Sequence, residues 1–305
     1  MSELAHPDRQ QAGHFSTMVS VVVNVVLTII QLVIGIFAQS TALVADAIHS
    51  LSDLVSDGVV LVANKHSLTP PDAGHPYGHR RFETAASLII GALLLSVGIG
   101  MLWASFTKLQ NPAAIPQVHV AALAAALLAL ASKELLFRYL LRVANRVRSS
   151  MLAANAWHAR SDAASSLVVA IGILANLTGF PLADPLAALI VGLMIIRMGW
   201  KFFFGSFNDL MDQAVDDETE DRIRGYLLST PGVHGIHGMK TRKLGDMIWV
   251  EVDLEMDGTL TITQGHAIAT EARRRVMQNE PVLDVMTHFD PVAVSIQDVS
   301  GKWSG

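Results

Sequence analysis

Six long apolar runs constrain this chain more than any other feature of its sequence. Each is long enough for a helix to cross a hydrocarbon core, which needs about 20 residues. Every main-chain polar group inside a bilayer must be hydrogen-bonded within the protein, so only helices and closed barrels can span it. Runs of this length favour helices. The sequence therefore predicts a mainly α membrane protein with a six-helix transmembrane bundle, whose spans are residues 15–38, 42–64, 84–107, 118–141, 151–177 and 182–204.

Composition agrees with a membrane protein and narrows its chemistry. Hydrophobic residues make up 51% of the chain and charged residues only 16%, which is outside the usual range for a soluble globular protein. Cysteine is absent, so disulfides and thiolate metal sites are excluded. Any metal must be bound by imidazole, carboxylate, main chain or water.

The last third of the chain has a different character. Residues 209–305 contain 9 basic and 17 acidic side chains, whereas residues 1–208 contain 13 and 10. This acidic balance leaves no basic patch for nucleic acid. The predicted elements are a helix over 216–228, strands over 238–244 and 247–256, a helix over 263–278 and a strand over 283–289. This α-β-β-α-β order predicts a cytoplasmic α+β domain of the ferredoxin-like type over residues 209–292.

The ends and the connections predict how the chain is oriented. Residues 1–14 are polar, and no small-residue cleavage site follows closely, so we expect a retained N-terminal segment rather than a signal peptide. Residues 293–305 show no pattern and are expected to form a tail. Lys and Arg concentrate in the connections on one side of the bundle, while the other side has only Lys108. By the positive-inside rule, both termini are expected in the cytoplasm and residues 15–208 form the transmembrane domain.

Two pairs of ionisable residues lie inside the apolar spans. His49 and Asp53 are one helical turn apart in the second span, and His158 and Asp162 repeat that spacing in the fifth. At about 1.5 Å per residue, both pairs reach the middle of a core about 30 Å thick. Two imidazoles and two carboxylates suit tetrahedral Zn²⁺, and would also accept Co²⁺, Cd²⁺ or Fe²⁺. The spacing therefore predicts one four-ligand metal site between the two spans.

An alternative remains open for these pairs, because each could simply hydrogen-bond within the bundle. Two identical pairs at one depth favour the shared metal site. Asp46 and Asp57 extend the same stripe of the second span, and we interpret them as candidates to relay protons or admit the ion.

Further candidate ligands lie outside the spans. Asp72, His75 and His79 cluster in the loop between the second and third spans. In the tail, His288 and Asp290 alternate so that both side chains leave one face of a strand. His234, His237 and His266 are the other tail histidines. Residues of either group could equally be solvated surface residues.

Together, the six spans, the two H-x-x-x-D pairs, the loop from Asp72 to His79 and the acidic α+β tail closely resemble the cation diffusion facilitator family. The resemblance extends over nearly the whole chain, to about Pro291. It implies that His49, Asp53, His158 and Asp162 form the transport site. It also implies a second zinc site at Asp72, His75 and His79.

For the tail, the resemblance implies a domain that dimerises and binds zinc. The matching positions are His237, Asp253, His266, His288 and Asp290. Asp253 departs from the pattern, because similar bacterial zinc exporters have histidine there. The resemblance further implies a charge interlock between Arg81 and Asp212, with Arg in place of the usual Lys.

The function that the resemblance implies is export of Zn²⁺ from the cytoplasm in exchange for protons. Such a protein is a secondary transporter and not an enzyme, and it needs no catalytic cofactor. Zn²⁺ is its substrate and a regulatory or structural ion. Its expected partners are the bacterial cytoplasmic membrane and a second copy of the chain. Two rival hypotheses are a metal sensor that signals through the tail and an intramembrane metal hydrolase, which would need an open coordination position.

Overall fold

A computed structural model of the protein describes residues 7–112, 115–147 and 150–292. Six long helices come first in the chain, and a smaller α/β region follows. The predicted tail over 293–305 and the first six residues of the predicted N-terminal segment lie outside the described residues. The long helices are α1 (Pro7–Phe37), α2 (Thr41–Ser67), α3 (Arg81–Gln110), α4 (Val120–Val147), α5 (Ser150–Leu177) and α6 (Ala183–Leu210). The remaining elements are α7 (Asp217–Leu228), β1 (Gly235–Leu244), β2 (Met247–Asp257), α8 (Ile262–Asn279) and β3 (Val282–Val292).

The predicted element types and their order are confirmed. Helix α1 begins at Pro7, earlier than the apolar run at Phe15. Proline suits the first turn of a helix because its fixed φ is already helical and its missing N–H has no partner there anyway. Of the six long helices, α1, α3, α4, α5 and α6 are long and apolar enough to cross a membrane on length and composition. Helix α2 is the exception among the described residues, and its three aspartates, Asp46, Asp53 and Asp57, make it less apolar than the others.

The described chain divides into two compact units. One contains the residues up to Leu61 together with Ile89–Phe203, and the other contains Val62–Leu88 together with the residues from Phe204 onward. The core of the first unit is rich in small residues, including Ala42, Ala122 and Ala188, each with no exposed surface. Small side chains allow helices to approach closely, which is how helices pack where water does not drive association.

The second unit contains a three-stranded sheet in the order β1-β2-β3. Strands β1 and β2 form an antiparallel hairpin, and β3 returns parallel to β2 after α8. Strand β2 alternates strictly, so Val250, Val252 and Leu254 face a core shared with α7 and α8. Its other residues, including Asp253 and Glu255, therefore face outward.

Local capping explains where the two tail helices begin. Asp216 precedes α7, and its side chain accepts a hydrogen bond from the main-chain N–H of Thr219. Thr261 and Gln264 form a reciprocal capping box at the start of α8. Each cap satisfies main-chain donors that the first turn of a helix leaves free. Both helices then pack against the sheet through a shared apolar core.

Candidate metal sites

Helices α2 and α5 bring three of the four predicted membrane ligands together. Ligand atoms of His49, Asp53 and Asp162 all lie within 4.8 Å of one another. His49 Nδ1 is 3.8 Å from Asp53 Oδ2, and the His49 side chain is only 7% exposed. Among the described residues, this buried Nδ1 has no hydrogen-bond partner. Buried polar atoms are rarely left unpaired, so the geometry favours a ligand at this position.

His158 lies at the edge of this cluster. Its Nε2 is 4.0 Å from Asp162 Oδ2, and its side chain is 55% exposed. The three-ligand group described above does not include it. Coordination by all four predicted ligands therefore requires the His158 imidazole to turn inward. The four-ligand set stays a prediction.

The two flanking carboxylates of α2 differ sharply in environment. Asp57 is exposed, one turn beyond Asp53, and remains compatible with a role in admitting ions. Asp46 is fully buried and accepts hydrogen bonds from several side chains, including Ser165 and Ser166. Asp46 is therefore part of a buried hydrogen-bond network, and its role as a relay or entry group stays a prediction.

The loop between α2 and α3 gathers Asp72, His75 and His79. Their ligand atoms lie within 4.8 Å of one another. Asp72 Oδ1 accepts hydrogen bonds from the main-chain N–H groups of His75, at 2.6 Å, and Gly74, at 2.9 Å. Asp72 Oδ2 is then left facing His79 Nε2 at 3.4 Å. The loop backbone thus holds three potential metal ligands close together.

The electrostatics of the loop also suit a cation. The hydrogen bond from the main-chain N–H of His75, helped by that of Gly74, lowers the pKa of Asp72 below its usual value. The carboxylate therefore stays anionic well below neutral pH. The rings of His75 and His79 lie 4.4 Å apart, and the His79 ring stacks on Phe82. His79 Nδ1 is buried without a hydrogen-bond partner in the described part of the chain.

We predict that Asp72→Asn removes metal from this loop without unfolding it. The amide oxygen can still accept both main-chain hydrogen bonds, but the anionic ligand is lost. Metal analysis after equilibrium dialysis of the purified full chain should show about one equivalent less per chain, because the loop keeps only two strong metal ligands, the imidazoles of His75 and His79. Limited proteolysis at the loop should be unchanged, whereas Asp72→Ala should increase cleavage. Unchanged metal content in Asp72→Asn would exclude the loop site.

The tail ligands meet on the outward face of the sheet. The register pairs His237 with Asp253, and Asp253 with His288. Ligand atoms of His237, Asp253 and Asp290 lie within 4.8 Å of one another, and His237 Nε2 is 2.9 Å from Asp290 Oδ2. His288 Nε2 is 3.6 Å from Asp290 Oδ1. The sheet thus brings together four of the five tail residues that the resemblance implied.

His266 is the tail residue that the structure places elsewhere. It is exposed on α8 and is not part of the three-residue ligand group on the sheet. The pairing of β1 with β2 is irregular between His237 and Lys240. Gly238, at φ +59°, lies in this irregular segment, where a Cβ atom would overlap the Asp253 carboxylate. Glycine is the residue that adopts this conformation without strain.

The predicted interlock pair is in direct contact within the second unit. An Arg81 guanidinium nitrogen donates a hydrogen bond to Asp212 Oδ1. Arg242 adds a second cation, with its Nη1 3.7 Å from Asp212 Oδ2. The Arg242 guanidinium also lies over the rings of Tyr77 and Trp249. The pair is therefore part of a larger charged and aromatic cluster.

Comparison with known families matches both parts of this architecture. Residues 17–211 match the model of the cation efflux transmembrane domain, and residues 215–292 match that of the cation efflux protein cytoplasmic domain. The chain belongs to the cation diffusion facilitator family. Members of this family are metal cation transporters rather than enzymes.

Several family relatives align over most of this chain. Metal tolerance protein C1 of Arabidopsis thaliana is 33% identical over 94% of this chain, which spans 65% of that relative's length. Magnetosome protein MamB of Paramagnetospirillum magneticum is 33% identical over 85% of this chain and 87% of its own length. Manganese efflux system protein MneS of Bacillus subtilis is 32% identical over 93% of this chain and 98% of its own length.

Sequence reasoning missed two residues beside the sites of this family member. Glu255 Oε1 lies 3.9 Å from His237 Nδ1, and it follows Asp253 by two positions on β2. The two-residue period of a strand could have indicated it. Lys133 is buried on α4 against Asp46. A lysine inside an alanine-rich span was itself a signal, because an ionisable residue at membrane depth needs a partner.

Proposed function

We propose that this family member exports a divalent transition metal from the cytoplasm, with Zn²⁺ as the first candidate, in exchange for protons. The observation that carries the proposal is the convergence of His49, Asp53 and Asp162 within the helix bundle. Two carboxylates offset the cost of placing a dication at membrane depth. His158 supplies the fourth ligand when its side chain turns inward.

Proton exchange follows from the chemistry of the ligands. An imidazole nitrogen that binds a metal cannot also hold a proton, so metal and protons compete for the same atoms. Protons entering from outside displace the ion, and the protonated empty site returns to face the cytoplasm. In this cycle His49 and His158 carry exchanged protons, while Asp53 and Asp162 act as anionic ligands.

Manganese is the rival cargo. MneS is a manganese efflux protein by name, and it aligns with almost the whole of this chain. Two carboxylates suit Mn²⁺, whereas two imidazoles favour Zn²⁺. We rank Zn²⁺ first because the predicted set contains two imidazole nitrogens, which Zn²⁺ binds more readily than Mn²⁺ does.

The remaining parts of the proposal concern assembly and placement. The cytoplasmic domain match supports a homodimer formed through residues 215–292. Both termini lie in the cytoplasm, and the membrane is the bacterial cytoplasmic membrane. The loop and tail clusters have donor sets that fit Zn²⁺ as a regulatory or structural ion, because each combines imidazole with carboxylate.

Proteoliposomes containing the purified full chain test this function. An acidic lumen should drive uptake of Zn²⁺ from the outside and alkalinise the lumen as protons leave. Collapsing the pH gradient with an electroneutral proton exchanger should stop that uptake. Parallel assays with Mn²⁺, Fe²⁺, Co²⁺ and Cd²⁺ rank the cargo. Metal binding without any flux would favour the sensor, and flux that ignores the pH gradient would exclude proton exchange.

A further inference from the structure

A buried charged pair lies beside the membrane metal cluster. Lys133 of α4 is the largest fully buried side chain among the described residues, with 2% of its surface exposed. Its Nζ lies 2.9 Å from Ser166 Oγ, 3.2 Å from Ser50 Oγ and 3.4 Å from Asp46 Oδ2. An ammonium group has three N–H donors. Three acceptors match these three donors, so the geometry at Lys133 suits an ammonium group.

Asp46 of α2 is the partner of this lysine, and it has no exposed surface. Its Oδ1 accepts from Ser165 Oγ at 2.9 Å. Its Oδ2 accepts from Gln31 Nε2, Ser166 Oγ and Lys133 Nζ. Only an ionised carboxylate offers acceptors alone. The network therefore suits an ion pair of the Asp46 carboxylate and the Lys133 ammonium, which together carry no net charge.

The pair contacts both helices that carry the metal ligands. On α2, Ser50 follows His49 directly, and Asp46 lies about one turn before His49. On α5, Ser165 Oγ lies 2.8 Å from the main-chain oxygen of Asp162 while it also reaches Asp46. Gln31 of α1 and Lys133 of α4 complete the network. A change of charge at this pair would therefore act on the metal cluster over a short distance.

We propose that Lys133 sets the charge of the transport site. By neutralising Asp46, it limits the uncompensated anions of the cluster to Asp53 and Asp162, whose two charges a divalent cation balances. It also occupies Asp46, so that this carboxylate is not a metal ligand. Lys133 is thus a positioning residue that tunes the affinity of the site for a divalent cation. The inference rests on the proposed transport function.

A purely structural salt bridge is the competing explanation, because buried ion pairs often contribute packing and specificity without any role in function. The two explanations differ in the sign of their effects. A structural role predicts that losing either partner harms the site in the same way. A charge-setting role predicts opposite changes in metal affinity.

The test compares Lys133→Gln with Asp46→Asn in proteoliposomes, using Zn²⁺ and the cargo that the wild-type chain transports best. Lys133→Gln leaves Asp46 as an extra anion, so the half-saturating metal concentration should fall by about tenfold and the maximal flux should also fall, because Coulomb energies are large in a poorly solvated interior. Asp46→Asn leaves the positive charge of Lys133 without its anionic partner, so the half-saturating metal concentration should rise by about tenfold. The double variant should return to within about twofold of wild type, since its net charge is restored.

The proposal would be overturned if the half-saturating metal concentration moved in the same direction in both single variants, or if it changed in neither. Should a single variant fail to fold, Ser50→Asp adds an anion against Lys133 and removes neither partner. It should lower the half-saturating concentration as Lys133→Gln does, and an unchanged or higher value would contradict the charge-setting role. Absence of flux in the wild-type chain would instead refute the proposed transport function itself.

Discussion

Replacing Asp53 by asparagine is expected to reduce metal flux by about a hundredfold or more, because the change removes one of the two anionic ligands that offset a dication at membrane depth. Asp53 lies within the three-residue ligand group and is mostly buried. The amide is nearly the same size as the carboxylate, so packing is retained while the charge is lost. Flux of Zn²⁺ and Mn²⁺ into acid-loaded proteoliposomes measures the effect.

Asp57→Asn is the matched control for this experiment. Asp57 lies one turn further along the same helix, is exposed, and is not part of the ligand group. Its loss removes at most a group that helps to admit the ion and not a clustered ligand, so flux should fall far less than in the Asp53 variant, and at least about half should remain. Equal flux in the Asp53 variant and the wild-type chain would remove Asp53 from the transport site. Equal loss in both variants would indicate a general effect of charge on α2.

Gly91→Ala is expected to lower the stability of the folded protein strongly. Gly91 of α3 lies so close to α6 that a Cβ atom there would be 2.7 Å from the Phe203 Cα atom. The obstacle is main chain, which cannot rotate away as a side chain can. Overpacking of this kind costs about 2 to 3 kcal/mol, which outweighs the gain of about 1 kcal/mol that alanine brings to a helix. Thermal unfolding of the full chain in detergent should show a clear fall in Tm.

Gly100→Ala separates this contact from the general effect of adding a methyl group. Gly100 lies on the same helix, and a Cβ atom there meets nothing within 4 Å. The Tm of the Gly100→Ala variant should be unchanged or slightly higher than that of the wild-type chain, because only the helix propensity changes. A similar fall in both variants would mean that close contact with α6 is not the cause.

The two pairs in the membrane illustrate how far sequence reasoning reaches. A four-residue spacing placed His49 with Asp53, and His158 with Asp162, on shared helix faces, since that spacing depends only on local helix geometry. The direction in which each side chain points depends on more than local helix geometry. His49 is buried in the cluster, whereas His158 is more than half exposed at its edge. Rotamer choice depends on neighbours from other helices, which local spacing cannot specify.

Lys133 and Asp46 show the same limit at longer range. Each is an unusual residue within a membrane helix, and each signalled a need for a partner. They are 87 positions apart in the chain, and their pairing depends on how α2 and α4 are rotated and spaced within the bundle.

The sequence by itself determined the long apolar helices, the order of the tail elements and the faces that carry the ligands, because hydropathy and residue period are local properties of the chain. Only the tertiary structure decided which candidate ligands converge, that Lys133 pairs with Asp46, and that Gly91 must lack a side chain. Those outcomes depend on distances between residues far apart in the chain, which are set by the packing of whole helices against one another.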